Sequence, residues 1–292
     1  MIYPYIMMVF VVIFYAGNIL LGKAINELPP FTIAFFRLVV AFMIILPFGL
    51  KKAWNYRFKM WEYKKPFVIM TLTGITFFNT FIYGALQFTT STNVSVLETV
   101  IPVVTVVLSA VLLKEKLWNM QKAGVLLSLV GAVWVVMDGK LFQLAEMSWN
   151  IGDGIMIGAI GCWAVYSITV KKYMHLFPQN AALLVMSGIS IIVLFPFVVA
   201  EWIVSGVPSS LLTPMNLSSL VYLGVFPSFI ALIFYNRAVR ILGASQASVF
   251  LNFLPIVTMI GAYFWLGESI TIMKIIGAMA VICGVILTTK RK

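Results

Sequence analysis

Arg37 and Glu98 each stand inside an apolar stretch of the chain, where an ionisable side chain is unusual. Such a group costs at least ~2.5–3.5 kcal/mol in a membrane helix unless it is paired or wetted, so both are candidates for function. At a rise of ~1.5 Å per residue both fall roughly 6–9 Å below the same membrane surface, close enough in depth to meet. Two readings stand open. One is a structural ion pair. In the other, Glu98 exchanges a proton with the medium, or either residue holds a charged group of a solute. Asn18 and Asn79 fall near the same level, ~20 Å from the opposite surface, and extend the polar ring.

Proline adds a second kind of chemistry. Pro102 has no N–H for the carbonyl of Glu98, and Pro255 has none for that of Leu251. Free carbonyls survive at membrane depth only where they face protein or a wet cavity. Pro102 and Pro255 are therefore read as helix-breaking, gating positions. The stripes Ser95, Thr99, Pro102 and Ser248, Asn252, Pro255 are expected to line a pathway; the alternative is a plain kink whose hydroxyls bond back to their own backbone. Aromatic groups supply an amphipathic wall. Tyr83 and Tyr235 occupy corresponding places, while Tyr15 and Asn18 answer to Trp163 and Tyr166. Trp163 and Tyr166 lie roughly 18–22 Å deep, beyond the interface where aromatic anchors sit. Tyr3, Tyr5, Trp54 and Trp61 read as such anchors. The predicted substrate-binding set is Asn18, Arg37, Asn79, Tyr83, Glu98, Trp163, Tyr166, Tyr235 and Asn252, with Glu98 the proton-coupling candidate.

Other chemistries lack their residues. The lone His175 falls in a short connection, and Cys162 and Cys283 show no metal or redox spacing, so no metal site or disulfide is expected. No phosphate-binding loop of the G-x-x-x-x-G-K-[ST] type occurs. With one intramembrane carboxylate and no histidine cluster, an enzyme is not expected, and neither is a cofactor.

The elements that must hold these residues are membrane helices. Of 292 residues, 62% are hydrophobic and 10% charged, too few polar groups to cover a water-soluble globule. The net charge of +11 does not point to nucleic acid, because the basic residues lie between the apolar segments. At about 20 residues per span, the segments are 5–22, 31–50, 66–86, 94–113, 119–138, 151–171, 181–203, 217–236, 245–266 and 271–289, which makes ten helices. The first lacks a basic start and reads as a span rather than a cleaved signal. The sizeable loops are Lys51–Lys65 and Gly139–Asn150. Sixteen of the twenty Lys and Arg residues collect on one side if the amino terminus is cytoplasmic, so both termini are placed inside.

The chain also repeats itself. Pro102, Glu115, Gly124 and Gly131 return as Pro255, Glu268, Gly277 and Gly284, each displaced by 153 residues. Tyr15, Ala16, Lys23 and Pro30 answer more faintly to Trp163, Ala164, Lys171 and Pro178. Five helices per unit is odd, so the second copy enters the membrane from the opposite side. Two such inverted copies, 1–138 and 151–292 with an extracytoplasmic linker 139–150, can enclose one cavity and open it to either side by rocking. Glu115 and Glu268 read as helix caps. The glycine pairs, seven apart, read as close packing between helices.

The stretches Glu27 to Pro30, Phe35 to Arg37, Tyr83 to Gln87, Pro102 with Lys114 to Lys116, Gly243 to Ser248, Leu251 to Pro255, Leu266 to Glu268 and Gly277-Ala278 resemble the drug/metabolite transporter superfamily, specifically its EamA-type members with ten helices. The resemblance implies secondary export of small metabolites, amino acids or drugs across the cell membrane, with solute held between helices 1 to 4 and 6 to 9 and with helices 5 and 10 outside. Glu98 departs from the small or apolar residue expected in that family. The expected partners are a small-molecule substrate and the lipid bilayer, not nucleic acid, and the protein is a monomer or homodimer. A channel-like passive facilitator is the alternative.

Overall fold

A computed structural model describes residues 2–113, 118–139, 150–242 and 250–289, and among them every regular element is helical. Glu115 with its two lysines, nearly all of the 139–150 linker, 243–249 with Ser248, and the last three basic residues lie outside the described residues. The first half contains α1 (Tyr3–Ala24), α2 (Pro30–Glu62), α3 (Lys64–Leu86), α4 (Ser91–Glu98), α5 (Ile101–Leu113) and α6 (Asn119–Val136). The second contains α7 (Ile151–Tyr173), α8 (Gln179–Ser205), α9 (214–242), α10 (Leu254–Leu266) and α11 (Ile272–Thr289). Seven described helices, α1 to α3 and α6 to α9, are long and apolar enough to cross a bilayer; α10 and 272–287 are apolar but shorter.

Three departures from the sequence reading follow from local chemistry. The Lys51–Lys65 stretch is not a loop: α2 continues to Glu62, and α3 starts at Lys64. No glycine or proline falls between residues 51 and 63, so nothing ends the helix where the membrane would. Ala53 and Met60 of this extension join a buried cluster with Phe67 and Phe177. The segment 94–113 is not one helix either. It breaks into α4 and α5 at Thr99–Val100, where Val100 N–H reaches the Leu97 carbonyl at 3.0 Å. The second half repeats the break 153 residues on, where Phe253 N–H reaches the Phe250 carbonyl at 3.0 Å. Pro102 and Pro255 follow the two breaks, each in the first turn of a helix, the position that tolerates proline best.

The third departure is a π-helical segment inside each of two long helices, Thr71–Phe77 in α3 and Phe226–Ile230 in α9. In both, a hydroxyl reaches a carbonyl five residues back: Thr76 Oγ1 to Thr71 O at 3.1 Å, and Ser228 Oγ to Leu223 O at 2.6 Å. These bonds satisfy acceptors that a widened turn releases. These two segments fall in helices equivalent in the repeat, whereas a third π segment, Ala262–Leu266 at the end of α10, has no counterpart in α5.

Packing between the halves is antiparallel. Gly131 of α6 faces Gly277 and Val281 of α11, while Gly284 faces Gly124 and Ser128, so sequence numbers rise along one helix as they fall along the other. A Cβ on Gly131 would stand 2.8 Å from the Val281 nitrogen, and one on Gly284 would stand 2.7 Å from the Gly124 oxygen, so neither position has room for a side chain. Each of these contacts maps onto its counterpart when the halves are exchanged. α2 and α8 pair in the same sense, with Phe31 stacked on Phe197 at 5.0 Å and Phe35 beside Phe195.

A chamber shared by the two halves

A chamber of about 150 Å³ lies between the halves. It has room for on the order of ten waters, or for one small metabolite. The first half contributes Tyr15 and Asn18 of α1, Arg37 and Leu38 of α2, Gly74, Ile75, Phe78 and Asn79 of α3, and Glu98, Thr99 and Ile101 around the α4–α5 break. The second contributes Trp163 and Tyr166 of α7, Leu183 and Ser187 of α8, Pro227, Ser228 and Leu232 of α9, and Leu251, Asn252 and Leu254 around the equivalent break. The π segments of α3 and α9 and both helix breaks thus reach the wall.

Arg37 is the polar centre. Only 4% of its surface is exposed. Its Nη1 donates to Asn18 Oδ1 at 3.0 Å, to Asn79 Oδ1 at 2.8 Å and to the Tyr83 hydroxyl, and its Nη2 donates to Ser228 Oγ at 2.7 Å. The Tyr83 hydroxyl in turn donates to Asn18 Oδ1 at 2.9 Å. Arg37 Nε has no partner. Every group around this guanidinium is neutral. The ion pair with Glu98 is therefore not formed: the two residues line one chamber, but the fork of Arg37 is taken up by amides and hydroxyls. The Glu98 carboxylate makes no hydrogen bond or ion pair among the described residues.

The aromatic wall is built from tilted ring contacts. The Trp163 ring lies 4.3 Å from Phe78 and 5.0 Å from Tyr166, which couples α3 to α7 across the halves. Two sequence candidates are off the wall. Tyr83 is wholly buried behind it, where it supports Arg37. Tyr235 packs beside a separate cluster around Met8, Val11, Ala231 and Ala238, because the turn of α9 carries it away from the chamber. The proline stripes are only partly on the wall. Thr99 lines it, yet its hydroxyl bonds back to Val96 O at 2.6 Å, and the fully buried Ser95 bonds back to Thr92 O. Asn252 lines the chamber, whereas the buried Pro255 does not, and the side chain of Pro102 lies outside the description.

Sequence reasoning missed Ser228, Ser187 and Phe78. Ser228 carried a signal in Pro227, which interrupts an apolar run and marks the widened turn. It also missed what two carboxylates of the second half do. Glu268 accepts from Ser91 N at 2.8 Å and Thr92 N at 3.2 Å, and from both their hydroxyls, and so caps α4 of the first half rather than its own neighbour α11. Glu201 accepts from Phe31 N at 3.0 Å and Thr32 N at 2.9 Å at the start of α2. A lone acidic residue near a helix end says that it can cap, but not which helix the fold will bring to it.

A chamber between apolar helices, with both halves contributing to its wall, is the setting in which the family comparisons place a membrane transporter. The EamA-like transporter family model matches residues 2–137 and again 150–290, and the chain belongs to that family. A protein of Archaeoglobus fulgidus named an uncharacterized transporter is 26% identical, over 99% of this chain and 98% of its own. A protein of Streptantibioticus cattleyicolor named a probable terminal-alkyne amino-acid exporter is 26% identical over 68% of this chain and 63% of its own. One solved structure superposes with a TM-score of 0.65 at 15% identity, covering 98% of this chain and 96% of that one, a likeness of fold alone.

Proposed function

We propose that this protein is a secondary transporter that exports small organic metabolites such as amino acids across the cell membrane, by rocking two inverted five-span repeats about the chamber. The repeats are 1–138 and 151–292, and 139–150 links them outside. The observation that carries this reading is a chamber to which both halves bring equivalent elements, a π segment and a helix break each. Ten spans result when α4 and α5 count as one broken helix and α10 and α11 are each counted as spans. The distribution of Lys and Arg puts both termini in the cytoplasm. The likeness to a probable amino-acid exporter favours outward transport.

In this reading Asn18, Arg37, Asn79, Trp163, Tyr166 and Asn252 contact the solute, and Glu98 carries the coupling proton. Tyr83 acts from behind by holding Arg37. Glu98 suits the coupling role because it faces the chamber with no partner to hold it in one state. The test is an efflux screen in proteoliposomes containing the purified protein, with and without an imposed pH gradient. Saturable efflux of a metabolite that responds to the gradient supports the reading. Unitary currents in planar bilayers would instead make the protein a channel.

A further inference from the structure

Resting on the transporter reading, we infer that the cargo presents a carboxylate to Arg37, and that this carboxylate takes the place of Ser228 on Nη2. The guanidinium is nearly wholly buried, borders the chamber, and among the described residues bonds to neutral acceptors only. A buried cation without a counter-charge is strongly unfavourable, and a ligand that supplies the charge recovers that energy on binding. Glu98, the other charged residue on the wall, does not reach it. The planar fork of arginine fits a carboxylate through two parallel hydrogen bonds. Among the described residues the buried Nε has no hydrogen-bond partner, and Nη2 makes one hydrogen bond, to Ser228.

Nε and Nη2 form one edge of the guanidinium, the side-on geometry that carboxylates prefer. Asn18, Asn79 and Tyr83 hold Nη1 on the far side, so the contact a carboxylate has to displace to reach that edge is Ser228. Of the four groups bonded to Arg37, Ser228 alone comes from the second half. A carboxylate that displaces it removes the one hydrogen bond by which this arginine ties the halves together. The cargo would thereby loosen the contact that has to break when the repeats rock.

The test uses the purified full-length protein in lipid nanodiscs and matched probe pairs: acetate and acetamide, benzoate and benzamide, 3-phenylpropionate and its amide. Binding is read by calorimetry and by thermal shift. At least one carboxylate is expected to bind about tenfold or more tightly than its amide, the scale of a charge-assisted bidentate contact. Arg37→Gln should erase that difference, and Arg37→Lys should keep only part of it. Ser228→Ala should strengthen carboxylate binding by a few-fold, since the edge is then already free. Equal binding of acid and amide in every pair, or a preference that survives Arg37→Gln, overturns the inference. If no probe binds while the efflux screen finds a neutral cargo, the inference fails and the transporter reading stands. Carboxylate selectivity without efflux of any metabolite would sink the transporter reading instead.

Discussion

Single residues on the chamber wall divide into those held by partners and those that are not, and the difference sets what their loss should do. Glu98 has no hydrogen-bond or ion-pair partner among the described residues, so Glu98→Gln removes a titratable group without breaking such a contact. The variant is expected to insert and to match the wild type in thermal stability, while efflux in proteoliposomes loses its dependence on pH. Transport identical to wild type at every pH tested removes proton coupling from this position. Trp163 is different because Phe78 and Tyr166 both lean on its ring. Trp163→Ala opens a void and costs about 3–5 kcal/mol of stability when the site is well packed. Trp163→Phe keeps most of the stack. It should stay near wild type in melting temperature yet bind cargo several-fold more weakly, which a competition assay would read.

At the scale of elements, the two carboxylate caps make a further expectation. Glu268 and Glu201 each satisfy backbone N–H groups at the start of a helix in the other half, a contact of about 0.5–2 kcal/mol. Glu268→Ala and Glu201→Ala should each lower thermal stability by that amount in nanodiscs, and the double variant by nearly the sum, because the caps serve different helices. Gly131→Leu should do far more damage, since the side chain would enter the α11 backbone. Much of this was legible in the sequence. The displacement of 153 residues located the equivalent breaks and the glycine contacts, because both depend on residue types with one dominant physical use. The π segments and the helical 51–62 extension were not legible. A widened turn has no periodicity of its own, and a charged stretch without glycine or proline reads equally as loop or helix. Of the predicted set, Asn18, Arg37, Asn79, Glu98, Trp163, Tyr166 and Asn252 line the chamber wall. Tyr83 and Tyr235 fell off it because depth alone does not give the direction in which a helix turns its side chains.

Across the whole molecule, among the described residues, side-chain hydrogen bonds between the halves concentrate at one face, with Arg37–Ser228, Thr76–Ser190 and Ser128–Val281 lying deeper. Glu201 at the start of α2, Glu268 at the start of α4, Asp153 with Thr89, Asn216 with Glu27 and Asp138 with Thr271 all lie where α2, α4, α7, α9 and α11 begin. Under the proposed topology this is the outer face, so these contacts bridge the halves on the outer side of the chamber. Opening outward must break these contacts, and weakening them should shift the population toward the outward-open form by the free energy removed. The measurement needs one reporter inside the chamber. Ser187→Cys in a background with Cys162 and Cys283 replaced provides it, since Ser187 lines the wall. A membrane-impermeant thiol reagent should label it slowly from outside in that background. Adding Glu201→Ala and Glu268→Ala should raise the outside labelling rate about fivefold or more, because the two caps together are worth about 1–4 kcal/mol and ~1.4 kcal/mol is tenfold in a two-state equilibrium. An unchanged outside rate, with the double variant folded and the reporter reactive after detergent extraction, would mean that the caps stabilise helices without guarding the exit.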